Sequence, residues 1–321
     1  MKPLALVLAV GFSLCAADNS WIPVTGVVVD PVSQSLRPIQ GLPGASLLGP
    51  ALNLPFAVNR AALLGKNAAI AIDAPSDANG AGQAWLITGL LRGDLASNSL
   101  NGAIAGADRI ATNDAGSVAV LYSKSSSQLQ FVSGLPGSAS VSDPISIPGT
   151  VGAIAVSDDG GWALIGVTDS GAGAVYRVGP ATNNQLLPVT TLGDPSAIAL
   201  RSGQDAVIAD HATDEVFLVR DVIGAPQRTP LADGSSGVSG PAALLVLPDQ
   251  SILIANAGSQ TIGRVDPVTL QMGTIPISGV PDRFEKLLQP GVYALNQPGG
   301  APLLLLDASS DLNVVFVPQE R

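Results

Sequence analysis

The single histidine of this 321-residue chain, His211, stands in Ala209-Asp210-His211-Ala212-Thr213-Asp214-Glu215. An imidazole among carboxylates is the donor set of a divalent-metal site or of an acid–base pair, which makes Asp210, His211 and Asp214 the local metal candidates. The plainer reading is a polar hairpin tip between two strands. With no second histidine, a metal here must borrow carboxylates from distant segments, and the hairpin reading is the stronger. A Ser–His–Asp triad would need the same histidine, and no GxSxG turn presents a serine. Asp77-Ala78-Asn79-Gly80 and Asp158-Asp159-Gly160 share the front of a calcium loop. Neither supplies alternating oxygen ligands and a terminal bidentate Glu, and turn formation accounts for both. The Gly/Pro-rich stretch LRPIQGLPGASLLGPALNLP lacks GxxxxGK[ST], so it is a connection rather than a phosphate cradle.

The N-terminus carries a different signal. Lys2, the apolar run Leu4 to Leu14 and the small residues Cys15-Ala16-Ala17 before Asp18 form the pattern of a cleaved secretory peptide spanning 1–17. The run is shorter than the roughly 20 apolar residues a membrane span needs. Leu14 is a poor fit for the small residue that precedes a lipidated cysteine. A periplasmic, secreted or cell-surface location is therefore expected for residues 18–321, with no membrane span. Cys15 is the only cysteine, so the mature chain has no disulfide, thiol nucleophile or Cys-based metal site. Stability must come from core burial, for which a chain of this length suffices.

Hydrophobic residues make up 46% of the sequence and charged ones 12%, with 36 Gly and 25 Pro breaking the apolar runs. Many short buried strands read this way. The formal charge is −10, and no run of Lys or Arg reverses it locally, so nucleic acid and anionic membrane surfaces are not expected partners.

What must position any site is a repeat. Related segments begin at Arg109, Ala153, Ala197 and Ala242, about 44 residues apart, with weaker copies from Ala61 and Arg283. Within a unit the period is two. Ile154 and Val156, then Trp162, Leu164 and Ile165, then Val175, Tyr176 and Val178 form three short runs separated by Asp/Gly/Ser turns, and LLPVTTL follows as a fourth. Pro recurs throughout, at about 3 kcal/mol for each one inside a helix, which excludes long helices. Four antiparallel strands per unit make a β-propeller blade. The prediction is an all-β fold, one propeller domain over 18–321, with seven blades favoured over six. Residues 24–57 match only half a unit and a Gly/Pro-rich loop, and are expected to close the ring by sharing a sheet with the C-terminal strands. Arg37, Gln40 and Asn53 are expected over one channel mouth, Trp85 and Trp162 in the core, and Trp21 in solvent.

Leu244 to Thr269 resembles the YVTN-type repeat of bacterial surface propellers, through Ile254-Ala255-Asn256-Ala257-Gly258-Ser259-Gln260-Thr261-Ile262 and Val265-Asp266-Pro267. Ala206 to Val219 is similar to an NHL repeat, with Asp214 and Glu215 replacing the usual Asn and Arg. The resemblance implies a propeller and no particular activity. Two function classes follow. The favoured one is a non-enzymatic exported scaffold that binds a protein, peptide or carbohydrate without a cofactor. The alternative is a hydrolase or lactonase with a divalent metal such as calcium in the channel. Gluconolactonase-like propellers gather Glu, Asn and Asp from different blades. By that resemblance the channel-mouth candidates are Asn59, Asp108, Asp194 and Asp282, each just before an innermost run. A quinone-holding redox propeller is disfavoured by the 4% aromatic content.

Overall fold

The structure is a computed structural model that describes residues 23–75, 80–91, 93–201, 204–266, 268–299 and 301–318. The secretory segment, Trp21 and Asp77-Ala78-Asn79 lie outside the described residues. The strands form seven antiparallel sheets, each a blade of consecutive strands. First strands neighbour one another around the axis, as Thr150–Val156, Pro195–Arg201 and Pro241–Val246 do in blades 4, 5 and 6. The outermost strands lie at the rim. No helix among the described residues is long and apolar enough to cross a membrane.

Why these residues become blades is clearest in the second strands: Ala68–Asp73 (AAIAID), Ile252–Asn256 (ILIAN) and Leu303–Asp307 (LLLLD). Alternate side chains leave opposite faces of a strand. In blade 2, Ile70 and Ile72 enter the core shared with blade 3, while Ala69 and Ala71 enter the core shared with blade 1. In blade 6, Ile252 and Ile254 pack toward blade 5, and Leu253 and Ala255 toward blade 7. Both faces are buried, so the runs are continuously apolar rather than alternating. A buried apolar cluster occupies every interface between adjacent blades, including that between the last and the first.

Each run ends on a polar residue that fastens the next turn. Asp73 accepts from the Gln83 N–H (2.6 Å) and Trp85 Nε1 (2.9 Å), and the Trp85 ring stacks on Phe56 at 4.5 Å. Asp307 accepts from the Ser309 N–H and Oγ. Asn256 accepts from the Ser239 N–H and donates to the Gly237 carbonyl. Trp162 lies in the core between blades 4 and 5, as expected.

Ring closure differs from the shared-sheet expectation. Residues 24–48 form their own three-stranded blade, Val24–Asp30, Ser35–Leu42 and Ala45–Leu48, and blade 7 takes all four of its strands from residues 285–317. Val27, Val28 and Val29 are buried on both faces, which makes Val24–Asp30 an inner strand wedged between two blades. The seam is packed: Val28, Ile39 and Leu48 meet Leu287, Val292, Leu303 and Leu305. The N–H groups of Leu288 and Gln289 both donate to the Thr25 carbonyl at 3.0 Å. Arg37 is likewise not at a channel mouth. Its guanidinium bonds the carbonyls of Gly49 and Leu48 and pairs with Asp30 at 3.3 Å, holding the chain that leaves the third strand.

A register shift recurs near the start of the inner strands of blades 1, 2, 4, 5 and 6, leaving Thr25, Asn59, Gly152, Ser196 and Ala242 unpaired. Such a bulge turns its residue out of the ladder. Ser196 Oγ uses this to donate to the Pro241 carbonyl of the next blade at 2.6 Å.

Gly26 sits at the seam with no room for a side chain. A Cβ there would lie 2.7 Å from Leu287 Cδ2 and 2.9 Å from Leu287 Cβ. Gly26→Val is expected to lower stability by about 1–3 kcal/mol through overpacking. Gly273→Ala, where a Cβ meets nothing within 4 Å, should change it little. Thermal denaturation of both variants checks the pair, and an unaffected Gly26→Val would contradict the packed seam.

Candidate functional site: the axial cavity

A cavity of about 920 Å³ lies at the axis, walled by the inner strands of blades 7, 2 and 3, with Ile154 from blade 4. Two of the four channel-mouth candidates line it, Asp108 and Asp282. Asn59 is the bulged, exposed residue beside Arg60, and only Arg60 reaches the lining. Asp194 is used elsewhere: Oδ1 accepts from Thr168 Oγ1 at 3.0 Å, and its N–H donates to Asp210.

Asp210, His211 and Asp214 do not assemble a donor set. The Asp210 carboxylate is 3% exposed and accepts the N–H groups of Gly193 (2.7 Å), Asp194 (2.8 Å) and Ala212 (3.0 Å). It occupies the same end-of-strand position as Asp73, Asn256 and Asp307, and does the same work. His211 is exposed at the hairpin tip, and its N–H bonds the Asp194 carbonyl. Asp214, at a left-handed φ of 52°, accepts the Gly240 N–H at 2.7 Å. Asp159 is taken up in its own turn, where hydrogen bonds from Ser157 and Gly161 hold its carboxyl below the usual range. Among the described residues no three His, Cys, Asp or Glu side chains gather into a metal-holding group. Asp210 and Asp214 are instead committed to backbone N–H groups around their turns.

What the cavity does gather is arginine and lysine. Of the 15 Lys and Arg residues in the chain, five line it: Arg60, Lys66, Arg109, Arg283 and Lys286. Against a formal charge of −10, that concentration is a property of the fold, since the residues come from three separate blades. The missed signal is a dipeptide. Asn59-Arg60, Asp108-Arg109 and Asp282-Arg283 repeat the same Asx-Arg pair at the start of the inner run in blades 2, 3 and 7.

The cations differ in how they are held. Arg283 forms a fork on its neighbour Asp282, Nε to Oδ1 at 2.7 Å and the terminal nitrogen to Oδ2 at 3.1 Å, which occupies both carboxylate oxygens. It also pairs with Glu285 at 3.8 Å. Burial acts to lower the Arg283 value, but the hydrogen bond and charge of Asp282 outweigh it and raise it. Lys286 crosses the channel from blade 7 to meet Asp114 of blade 3 at 3.3 Å, an exposed strut over one mouth. Arg60 and Arg109 have no hydrogen bond or ion pair to a described residue. Burial lowers the Arg109 value, the Asp108 charge opposes this, and the like charge of Arg60 lowers it further.

Glu285 faces the cavity with 22% of its side chain accessible. Burial pushes its carboxyl up to about 7, Arg283 opposes this and Asp282 adds to it. A carboxyl of this kind is mixed in protonation at neutral pH.

These elements are shared with solved structures as a fold. A functionally unknown protein from Desulfotomaculum acetoxidans aligns with a TM-score of 0.64 at 11% identity, over 93% of this chain and 100% of that one. The periplasmic gluconolactonase of Pseudomonas aeruginosa aligns at 0.62 with 14% identity, over 92% and 97%. Virginiamycin B lyase from Staphylococcus aureus aligns at 0.57 with 11% identity, over 94% and 96%. No protein-family model matches the sequence, and no curated protein matches it either. The chain is a seven-bladed β-propeller. Neighbours of this one architecture include lactonases, a lyase and proteins of unknown function, so the likeness carries no activity.

Glu285 makes the folded chain pH-sensitive in a definite direction. Its folded value lies above the ordinary 4.5, so the folded state holds the proton more tightly. That contribution is complete below about pH 4.5 and is lost as pH rises through about 7. Relative to the wild type, Glu285→Gln should therefore be more stable at pH 8 than at pH 5, measured as the difference in denaturation midpoint. A difference independent of pH would contradict the assignment.

Proposed function

We propose that this propeller is an exported binding protein, periplasmic, secreted or on the cell surface, whose axial cavity takes a carbohydrate. The observation that carries the reading is the cavity itself. At about 920 Å³ it suits a small ligand and is too small for a folded partner, which favours the carbohydrate among the ligand classes considered above. Its wall mixes hydrogen-bonding groups (Thr112, Asp108, Gln297) with apolar ones (Ile110, Phe284, Leu63), the combination that a sugar ring with polar edges and apolar faces requires. The lactonase alternative is the weaker, because Asp210 and Asp214 are committed to backbone N–H groups and Asp282 to Arg283.

Thr112 lines the cavity on the inner strand of blade 3. Thr112→Trp should weaken saccharide binding at least tenfold in titration calorimetry against a panel of mono- to trisaccharides, with circular dichroism unchanged. Equal binding by the folded variant would move the site to the outer loops. Hydrolysis of the titrant would replace binding with catalysis.

A further inference from the structure

Within the proposed site, Arg60 and Arg109 differ from Arg283 and Lys286 in how they are held. Lys286 has Asp114 and Arg283 has Asp282 and Glu285, whereas these two guanidinium groups have no ion pair or hydrogen bond to a described residue. They come from adjacent blades, begin equivalent inner strands and line the same cavity. Their charges oppose each other, and the nearest acid, Asp108, has one oxygen already committed to the Lys124 N–H at 2.6 Å. After internal pairing, Arg60, Arg109 and Lys66 are left against Asp108 alone.

Two exposed guanidinium groups that share one concave space with a single carboxylate, Asp108, leave positive charge there for an anionic ligand to meet. Guanidinium presents its donors as a planar fork that matches the two oxygens of a carboxylate or the edge of a phosphate. A neutral sugar needs no such pair, since hydroxyl groups are served by the Thr112, Asp108 and Gln297 side chains already in the wall.

We propose that Arg60 and Arg109 form an oxyanion subsite, and that the ligand is an acidic carbohydrate whose anionic group docks between them. This rests on the carbohydrate reading of the cavity and narrows it. The negative charge of the remaining chain then acts as a filter. An anion is held only where the blade 2 and blade 3 arginines are both in reach, and polyanions are repelled by the surface.

The test is titration calorimetry with the full chain at fixed ionic strength, using glucuronate, gluconate, glucose 6-phosphate and glucose as probes. Either carboxylates or the phosphate ester should bind at least tenfold more tightly than glucose, and which of them does so identifies the anion. Arg60→Gln and Arg109→Gln should each lose at least tenfold for the anionic probe and narrow its preference over glucose, with partial recovery in Arg109→Lys. A ligand-free readout guards against misfolding. The probe should raise the denaturation midpoint of the wild type and not that of the double Gln variant, whose own midpoint should be no lower. Equal binding of glucose and its anions, or anion binding that survives both substitutions, would overturn the subsite while leaving a carbohydrate cavity intact. Failure of every saccharide to bind would overturn the cavity reading itself.

Discussion

The structure depends on one constraint: the middle strands of every blade must bury both faces, each against a different neighbour. A sheet with two apolar faces has no stable isolated form, because one face would remain in water at a cost of about 25 cal/mol per Å². A row of such sheets has the same problem at its two ends. Closing the row removes it, and the packed seam between Val28, Ile39 and Leu48 of blade 1 and Leu303 and Leu305 of blade 7 is where that happens. This also explains why a three-stranded blade is tolerated. Outer strands such as Ala96–Ser99 and Leu187–Leu192 are largely exposed or half-buried, so the interfaces draw mainly on the inner strands. Blade 1 lacks a fourth strand and still supplies both of its interfaces.

Once the ring is fixed by its interfaces, the inner strands are free to vary where they face the axis. Blades 4 and 5 begin their inner runs with small residues around Ala153 and Ala197, while blades 7, 2 and 3 place arginine there. The cavity is accordingly one-sided. Its lining sets five Lys and Arg against four Asp and Glu in a chain with an excess of acids, and that local balance arises from topology, which draws together residues more than 200 positions apart. A carboxyl poised near neutrality and a lysine strut across one mouth lie in the same small volume.

The fold was legible because its cause is local. Continuous apolar runs such as ILIAN, ended by an Asx residue and separated by Asp/Gly turns, specify a doubly buried strand wherever they occur. The N-terminal blade was misread because Val24–Asp30 looks like an outer run in isolation. Its inner position follows only from knowing that blade 7 already has four strands. The site was half legible. Asp108 and Asp282, expected as channel donors, line the cavity together with the arginines beside them, which no expectation named. Reading the repeat for its chemistry as well as its pattern would have helped. Asp210 aligns with Asp73, Asn256 and Asp307, which marks it as a turn fastener, and the Asx-Arg pairs mark three inner strands as different from the rest. No linear signal announces that those three strands surround one space, because that depends on the order of blades around the ring.

Backbone amide hydrogen exchange tests the account at its foundation. If apolar contact between the first and last blades completes the ring, the amides of residues 27–29 and 303–306 should be as slow to exchange as those of residues 206–209 in blade 5. They should also be lost together with them in one cooperative step. Fast exchange confined to the two terminal blades would mean an open array without a closed axis, and the cavity at its centre would lose its walls.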